Sequence, residues 1–301
     1  LQRPVTLSAH IPPNEDVQTG MFALAFARRA FEFFSKVFVV PFPLPKLDLL
    51  CMPCMHGLGM ENFGAITFLQ EYFLVTAYTD FVRRRRIVRL LCHEICHQWY
   101  GDIVTPASFD ELWLKEGLAR FFEYVAVDSL DPSYSVWTNF MSEVFFQAML
   151  ADAQLTSHPV VQQHDGNIAS ILKSFDTITY GKGACVLRML CHYVGSARFL
   201  EGTRRFVARH QYGSATQQDL WNAIQDACAE DGEAPLPMRV QDLMRTWLAT
   251  PRFPVVRATL VGPHTLVLTQ QPFCLYGLPE TKQRASASAA AAAERVARPP
   301  L

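Results

Sequence analysis

The chain has 301 residues, enough for one large domain or two modest ones. Half of it is apolar and 18% is charged, with 15 Gly and 19 Pro, which excludes a wholly disordered or collagen-like chain. Its 27 basic and 28 acidic residues leave a formal net charge of −1, so no global field selects nucleic acid or an anionic membrane as a partner.

The chain opens on Leu1 rather than Met, which implies a piece of something longer. Val5 and Leu7 alternate with polar residues ahead of Pro12-Pro13, so residues 1–10 read as the end of a preceding β domain. Apolar residues then recur at helical spacing from Met21 to Lys36. The apolar stretch Val37–Val40 runs into Pro41, Pro43 and Pro45, and no run approaches the roughly 18 residues of a transmembrane helix. Leu47–Met52 and Gly64–Phe68 are short apolar runs of strand length. Thr79 or Asp80 can cap a helix reaching Tyr100 and ending at Gly101. A second helix is predicted from about Asp110 to Val127, and amphipathic segments cover 135–152, 182–194, 197–210 and 217–229. Val255–Val261 and Thr265–Thr269 are β-rich around Gly262-Pro263-His264, a predicted hairpin that opens a following β domain over residues 255–278. Residues 279–301 form an Ala-rich, low-complexity tail. Strands first and helices afterwards predict an α+β domain over residues 11–254.

Eight cysteines are too sparse for a disulfide-stapled miniprotein. Cys51-Met52-Pro53-Cys54 has redox or zinc spacing, yet no second CxxC completes a four-thiolate site. They read as free thiols, which favours a cytoplasmic location, with an anchored ectodomain as the alternative. The run Arg83–Arg86 reads as a solvated helix face, and His56, His158, His164 and His192 lack ligand-like spacing.

The segment Leu91-Cys92-His93-Glu94-Ile95-Cys96-His97 holds HExxH inside a helical pattern. Residues i and i+4 share one helix face, so His93 and His97 can aim both imidazoles at one point, as Zn²⁺ requires. Glu94 lies beside that face, able to reach a metal-bound water without being a ligand. A catalytic zinc also needs a third protein ligand, and a turn built around Gly101 and Pro106 lets the next helix bring Glu116 alongside. The competing reading is two histidines that merely share a helix face. It would leave three unpaired polar groups turned into an apolar interior.

The spacing of His93, His97 and Glu116 resembles the gluzincin pattern HExxH-x18-E. The longer run from His93 to Pro106 is similar to the zinc aminopeptidases of the aminopeptidase N and puromycin-sensitive type. So, in the same order, are Pro45-Lys46-Leu47-Asp48, Gly59-Met60-Glu61-Asn62-Phe63-Gly64 and Tyr180-Gly181-Lys182-Gly183. The resemblance covers roughly residues 3–270. It implies a thermolysin-like catalytic domain, a small mixed sheet followed mostly by helices, edged by flanking β domains.

By that resemblance, one Zn²⁺ per chain is held by His93, His97 and Glu116. Glu94 is the general base that activates a zinc-bound water, and Tyr180 donates to the developing oxyanion. Glu61 binds the substrate's free α-ammonium, flanked by Gly59, Met60 and Asn62. Glu123, seven residues after Glu116, either supports a zinc ligand through a hydrogen bond or is a solvated helix glutamate. The implied function is hydrolysis of the N-terminal peptide bond of peptides with a free N-terminus; oligomeric state and side-chain preference stay open. Two residues depart from the family pattern. Leu58 stands where the family has Gly and is expected to crowd the substrate-facing backbone, and Lys115 replaces an Asn before the zinc glutamate. These departures keep an alternative in play, a non-catalytic peptide-binding or interaction module derived from such a peptidase; the related epoxide-hydrolase branch ranks below both.

Overall fold

A computed structural model describes residues 4–277 of the chain. It begins with a βαβ unit: strand β1 (Thr6–His10), helix α1 (Gln18–Phe38) and strand β2 (Lys46–Met52). Strands β3 (Gly59–Met60) and β4 (Ala65–Leu69) complete a sheet of order β1-β2-β4-β3. Its first three neighbours run parallel, and β3 is antiparallel to β4, with Gly59 opposite Phe68. The first strand, read from the sequence as the edge of a preceding β domain, therefore pairs inside this sheet, with Leu7 in register with Leu47. Its alternation fits either setting, because a half-buried edge strand and a strand leaving a domain share one pattern.

Helix α1 forms because Ala23, Phe26, Ala27, Ala30, Phe31, Phe34 and Phe38 recur on one face. That face meets Trp99: the Phe38 and Trp99 ring centroids are 5.6 Å apart, and the Trp99 indole donates to the Val40 carbonyl at 2.9 Å. On the sheet, Leu47, Leu49, Ile66 and Phe68 are fully buried.

Two helices carry the HExxH segment and its following glutamate. Helix α2 (Phe81–His97) is capped by Asp80, whose carboxylate accepts the Arg83 amide at 2.7 Å. It ends at His97, three residues before the predicted Tyr100, because the chain tightens into a turn there; the Gln98 amide donates to the Ile95 carbonyl at 3.2 Å. A short strand β5 (Val104–Pro106), paired in parallel with β6 (Gly213–Ala215), leads into helix α3 (Leu112–Leu130). Helices α4 (Val136–Phe140) and α5 (Phe146–Asp152) are joined by a π turn over Met141–Phe145, so the predicted helix over 135–152 is one rod with a wider turn inside. After α6 (Ile168–Lys173), a second π turn, Ile178–Lys182, runs into α7 (Gly183–Val194). Helices α8 (Ser196–His210), α9 (Gln217–Glu230) and α10 (Val240–Ala249) follow. A capping box between Thr216 and Asp219 starts α9.

The predicted hairpin is present as β7 (Pro254–Val261) and β8 (Thr265–Pro272), both exposed along their whole length. The Ala-rich tail, 279–301, lies outside the described residues. The architecture is α+β, a small mixed sheet followed by helices, as the element order implied. Every cysteine is unpaired, with Cys51, Cys92, Cys96 and Cys228 buried. No described helix is long and apolar enough to cross a membrane. The Arg83–Arg86 run is not wholly solvated: Arg85 is buried and pairs with Glu143 at 3.0 Å.

Candidate metal centre and active site

The last two turns of α2 are buried all round, so the polar side chains there must find partners inside the protein. The ring nitrogens of both histidines divide their work in the same way. His93 Nδ1 lies 2.9 Å from Glu123 Oε2, and His97 Nδ1 lies 2.8 Å from the Tyr100 carbonyl. Both partners are acceptors, so each imidazole carries a proton on Nδ1 and, when neutral, turns a lone pair on Nε2 inward. The two Nε2 atoms stand 3.1 Å apart. Glu116 Oε2 completes the group, 3.5 Å from His93 Nε2 and 3.3 Å from His97 Nε2.

Two lone pairs and a carboxylate oxygen converging in this way repel one another unless a proton or a metal cation lies among them, and the neighbouring carboxylates raise both imidazoles against their burial. Glu116 Oε2 is buried and has no hydrogen-bond partner among the described residues. One ligand atom from each of the three side chains lies within 4.8 Å of the others. Two neutral imidazoles and one carboxylate are the donor set of a catalytic zinc, so the residues fit the ion the sequence implied.

Glu123, left open by the sequence between support and solvent, is buried to 1% exposure and supports the group. Besides His93 it binds Arg89 Nε at 3.0 Å and Arg120 Nη1 at 3.0 Å. Burial alone would raise its carboxyl, but Arg120, Arg89 and His93 outweigh burial and hold it down at about 2. Arg89 also pairs with Glu143. Its role had a signal in the sequence, because Arg89 stands four residues before His93 and shares its helix face.

Glu94 is buried beside the group without joining the His93, His97 and Glu116 set. Burial pushes its carboxyl up to about 7, against the pull of His93 and His97. Its carboxylate rests on the backbone of Gly59, where any Cβ would collide with Glu94 Cδ at 2.6 Å. The loop carrying Gly59 is clamped to α2 by Gln98, whose amide nitrogen donates to the Glu61 carbonyl at 2.8 Å while its oxygen accepts the Gly64 amide at 2.9 Å. Met60 and Asn62 in that loop are exposed. Leu58, expected to crowd the substrate-facing backbone, is 45% exposed, and its carbonyl accepts the Leu69 amide at 2.8 Å.

Tyr180 closes the opposite side. It sits in the π turn before α7, which approaches α3 where Gly117 meets Gly183; a Cβ on Gly117 would lie 3.3 Å from the Gly183 carbonyl carbon. This contact, one residue past Glu116, brings the Tyr180 ring to 6.0 Å from the His93 ring, nearly parallel at 18°. Burial and the Glu116 carboxylate push the Tyr180 hydroxyl well above its ordinary range, so it stays protonated and donates.

Residues 22–247 match the peptidase family M1 domain. The chain belongs to that family. The chain is 36% identical over 261 residues to the thyrotropin-releasing hormone-degrading ectoenzyme of Rattus norvegicus, covering 85% of this chain and 24% of that protein. It is 34% identical over 274 residues to leucyl aminopeptidase of Saccharolobus solfataricus, covering 91% of this chain and 33% of the relative. It is 34% identical over 260 residues to aminopeptidase M1-C of Oryza sativa, covering 86% and 28%. The chain thus spans about a quarter to a third of the length of these curated relatives.

Three features of the M1 centre were not read from the sequence: the Gln98 clamp, the Arg89 and Arg120 contacts to Glu123, and the position of Lys115. The Lys115 ammonium lies on Glu61 Oε1 and 3.2 Å from Glu116 Oε1. His158 pairs with Asp176 and His164 with Ser170, so neither joins the metal group.

Proposed function

We propose that this chain is the catalytic part of a zinc-dependent aminopeptidase, with one zinc held by His93, His97 and Glu116. The observation that carries the reading is the inward convergence of both Nε2 atoms and the unpartnered Glu116 oxygen, with Glu94 and Tyr180 on either side. The chemistry a bound zinc supplies at such a centre is Lewis acidity toward a peptide carbonyl and toward water.

The chain's own residues supply the proton handling. Glu94, buried and raised to about 7, accepts a proton from the attacking water and returns it to the leaving amine. Tyr180 keeps its proton and donates a hydrogen bond to the oxygen that gains charge in the tetrahedral intermediate. Glu123 and the Tyr100 carbonyl hold the two imidazoles in the tautomer that exposes Nε2. The Gly59–Asn62 loop, fixed by Gln98, borders the place where the first residue of a peptide would lie. The convergence of His93, His97 and Glu116, with Glu94 and Tyr180 beside them, supports the hydrolase over the binding-only module.

The test is metal content together with turnover of a panel of fluorogenic aminoacyl amides, half with a free amine and half N-acylated. Near-stoichiometric zinc and turnover of at least one class are expected. Glu94→Gln is expected to keep the zinc and lose about 10²–10⁴ in kcat. Absence of zinc, or wild-type turnover by Glu94→Gln, overturns the reading.

A further inference from the structure

The residue assigned to greet an incoming α-ammonium already holds one. Glu61 and Lys115 are both largely buried, their side chains 11% and 16% exposed, and the Lys115 ammonium sits directly on Glu61 Oε1. The pair is built in from several directions. Gln98 fixes the Glu61 carbonyl and so anchors the backbone that carries the carboxylate. The aliphatic stem of Lys115 passes Gly101, where a Cβ would stand 3.3 Å from Lys115 Cδ, and Gly101 has φ +130°, a conformation that favours glycine. The lysine therefore lies in a channel shaped for it, with its second contact on Glu116 Oε1 at 3.2 Å.

We propose that Lys115 sets the charge class of the substrate: it occupies the ammonium position on Glu61 and turns a site for charged N-termini into one for peptides whose N-terminus is uncharged. The inference rests on the aminopeptidase reading above, because it uses the same Glu61 subsite. A free α-ammonium would have to displace a tethered ammonium whose effective concentration is set by its own backbone, and then lie beside the displaced charge. An acylated N-terminus meets no such competitor. An ammonium group has three donors, and two contacts are taken here, so the third N–H of Lys115 can donate to the carbonyl of an N-acyl group. A charge-assisted hydrogen bond separates such ligands by about one to two orders of magnitude in affinity.

The experiment reads binding, so it does not depend on turnover. The zinc-loaded chain is titrated calorimetrically with leucinamide and with N-acetyl-leucinamide, alongside Lys115→Asn and Lys115→Gln, the second keeping the stem in the Gly101 channel. The wild-type chain is expected to bind N-acetyl-leucinamide at least as tightly as leucinamide. Both variants are expected to shift the affinity ratio toward leucinamide by tenfold or more. A wild-type preference for leucinamide, a smaller shift in the variants, or no binding of either compound by the variants overturns the proposal. Failure of the hydrolase reading looks different: no amide of either class is turned over, while the binding ratio remains readable.

Discussion

Replacing Glu123 by Gln isolates how much of the metal centre is made by residues that never touch the metal. The substitution conserves shape, and Glu123 binds three groups at once: His93 Nδ1 at 2.9 Å, Arg89 Nε at 3.0 Å and Arg120 Nη1 at 3.0 Å. A glutamine has one acceptor oxygen and one donor nitrogen. Both arginines are obligate donors, so the amide oxygen is drawn toward them and the NH₂ group faces His93. Nδ1 must then accept, the ring proton moves to Nε2, and the lone pair that would ligate the metal is lost in that tautomer.

The magnitude follows from what such supporting partners contribute. Losing one typically costs 10–100-fold in metal affinity, or about 1.4–2.7 kcal/mol. The fold should suffer less than a broken buried ion pair normally implies, about 3–5 kcal/mol, because Arg89 retains Glu143. The assay is competition for zinc against a chromophoric chelator, with urea unfolding of the metal-free proteins in parallel. A zinc affinity within threefold of wild type refutes the tautomer argument. So would an affinity loss matched by an equal loss of stability in the metal-free protein, since that pattern reports general disruption.

Tyr180→Phe is expected to lower kcat about 10²–10³-fold with zinc content and KM little changed, as measured on the better amide class; a kcat within threefold would remove the oxyanion role. Lys182, one turn past Ile178, pairs with the buried Asp152 at 2.9 Å and so ties the Tyr180 turn to the end of α5. Lys182→Met should destabilise the fold by about 3–5 kcal/mol in urea unfolding, and Lys182→Met with Asp152→Asn should recover most of it. His158 is raised by its hydrogen bond to Asp176 at 2.6 Å; burial opposes the matching fall in Asp176, and the His158 contact together with the Thr179 and Ile178 amides outweighs it. The contribution of a raised histidine is complete below its unfolded value of about 6.5 and is lost as pH rises through its folded value. The Asp176 contribution is present above about 3.9 and is lost as pH falls further. The Tm difference between wild type and His158→Gln should therefore be largest between about pH 4.5 and 6 and shrink in alkaline buffer, whereas a constant difference would exclude a charged pair.

The elements that carry the site were legible because each has a local cause. Helix α1 announces itself through its apolar repeat, α2 through Asp80 and the His93–His97 spacing, and the β7–β8 hairpin through Gly262 and Pro263. What was not legible depends on residues distant in the chain. Strand β1 looks like any half-buried strand until its register with β2, some 40 residues later, assigns it to this sheet. The early end of α2 reflects the turn that returns the chain toward β5, and helices α6 and α10 are too short for periodicity to decide. Glu123 read as support for a zinc ligand or as a solvated helix glutamate with equal force, since its position on α3 was clear but the arginines that bind it come from two helices.

Lys115 makes the same point at the scale of one side chain. The sequence marks it as a departure next to a ligand, which by itself predicts a perturbed zinc centre. The ion pair redirects that expectation, because the ammonium is satisfied by Glu61, 54 positions away, as well as by Glu116. On the proposed reading its two nearest oxygens belong to two functions, amine recognition and metal binding, and only the first is exchanged for something else when a lysine stands there. Glu116 keeps its other oxygen, Oε2, for the two imidazoles. On the proposed reading, a lysine that would be taken as damage to the metal centre acts instead in the substrate subsite, beside the three converging ligand atoms.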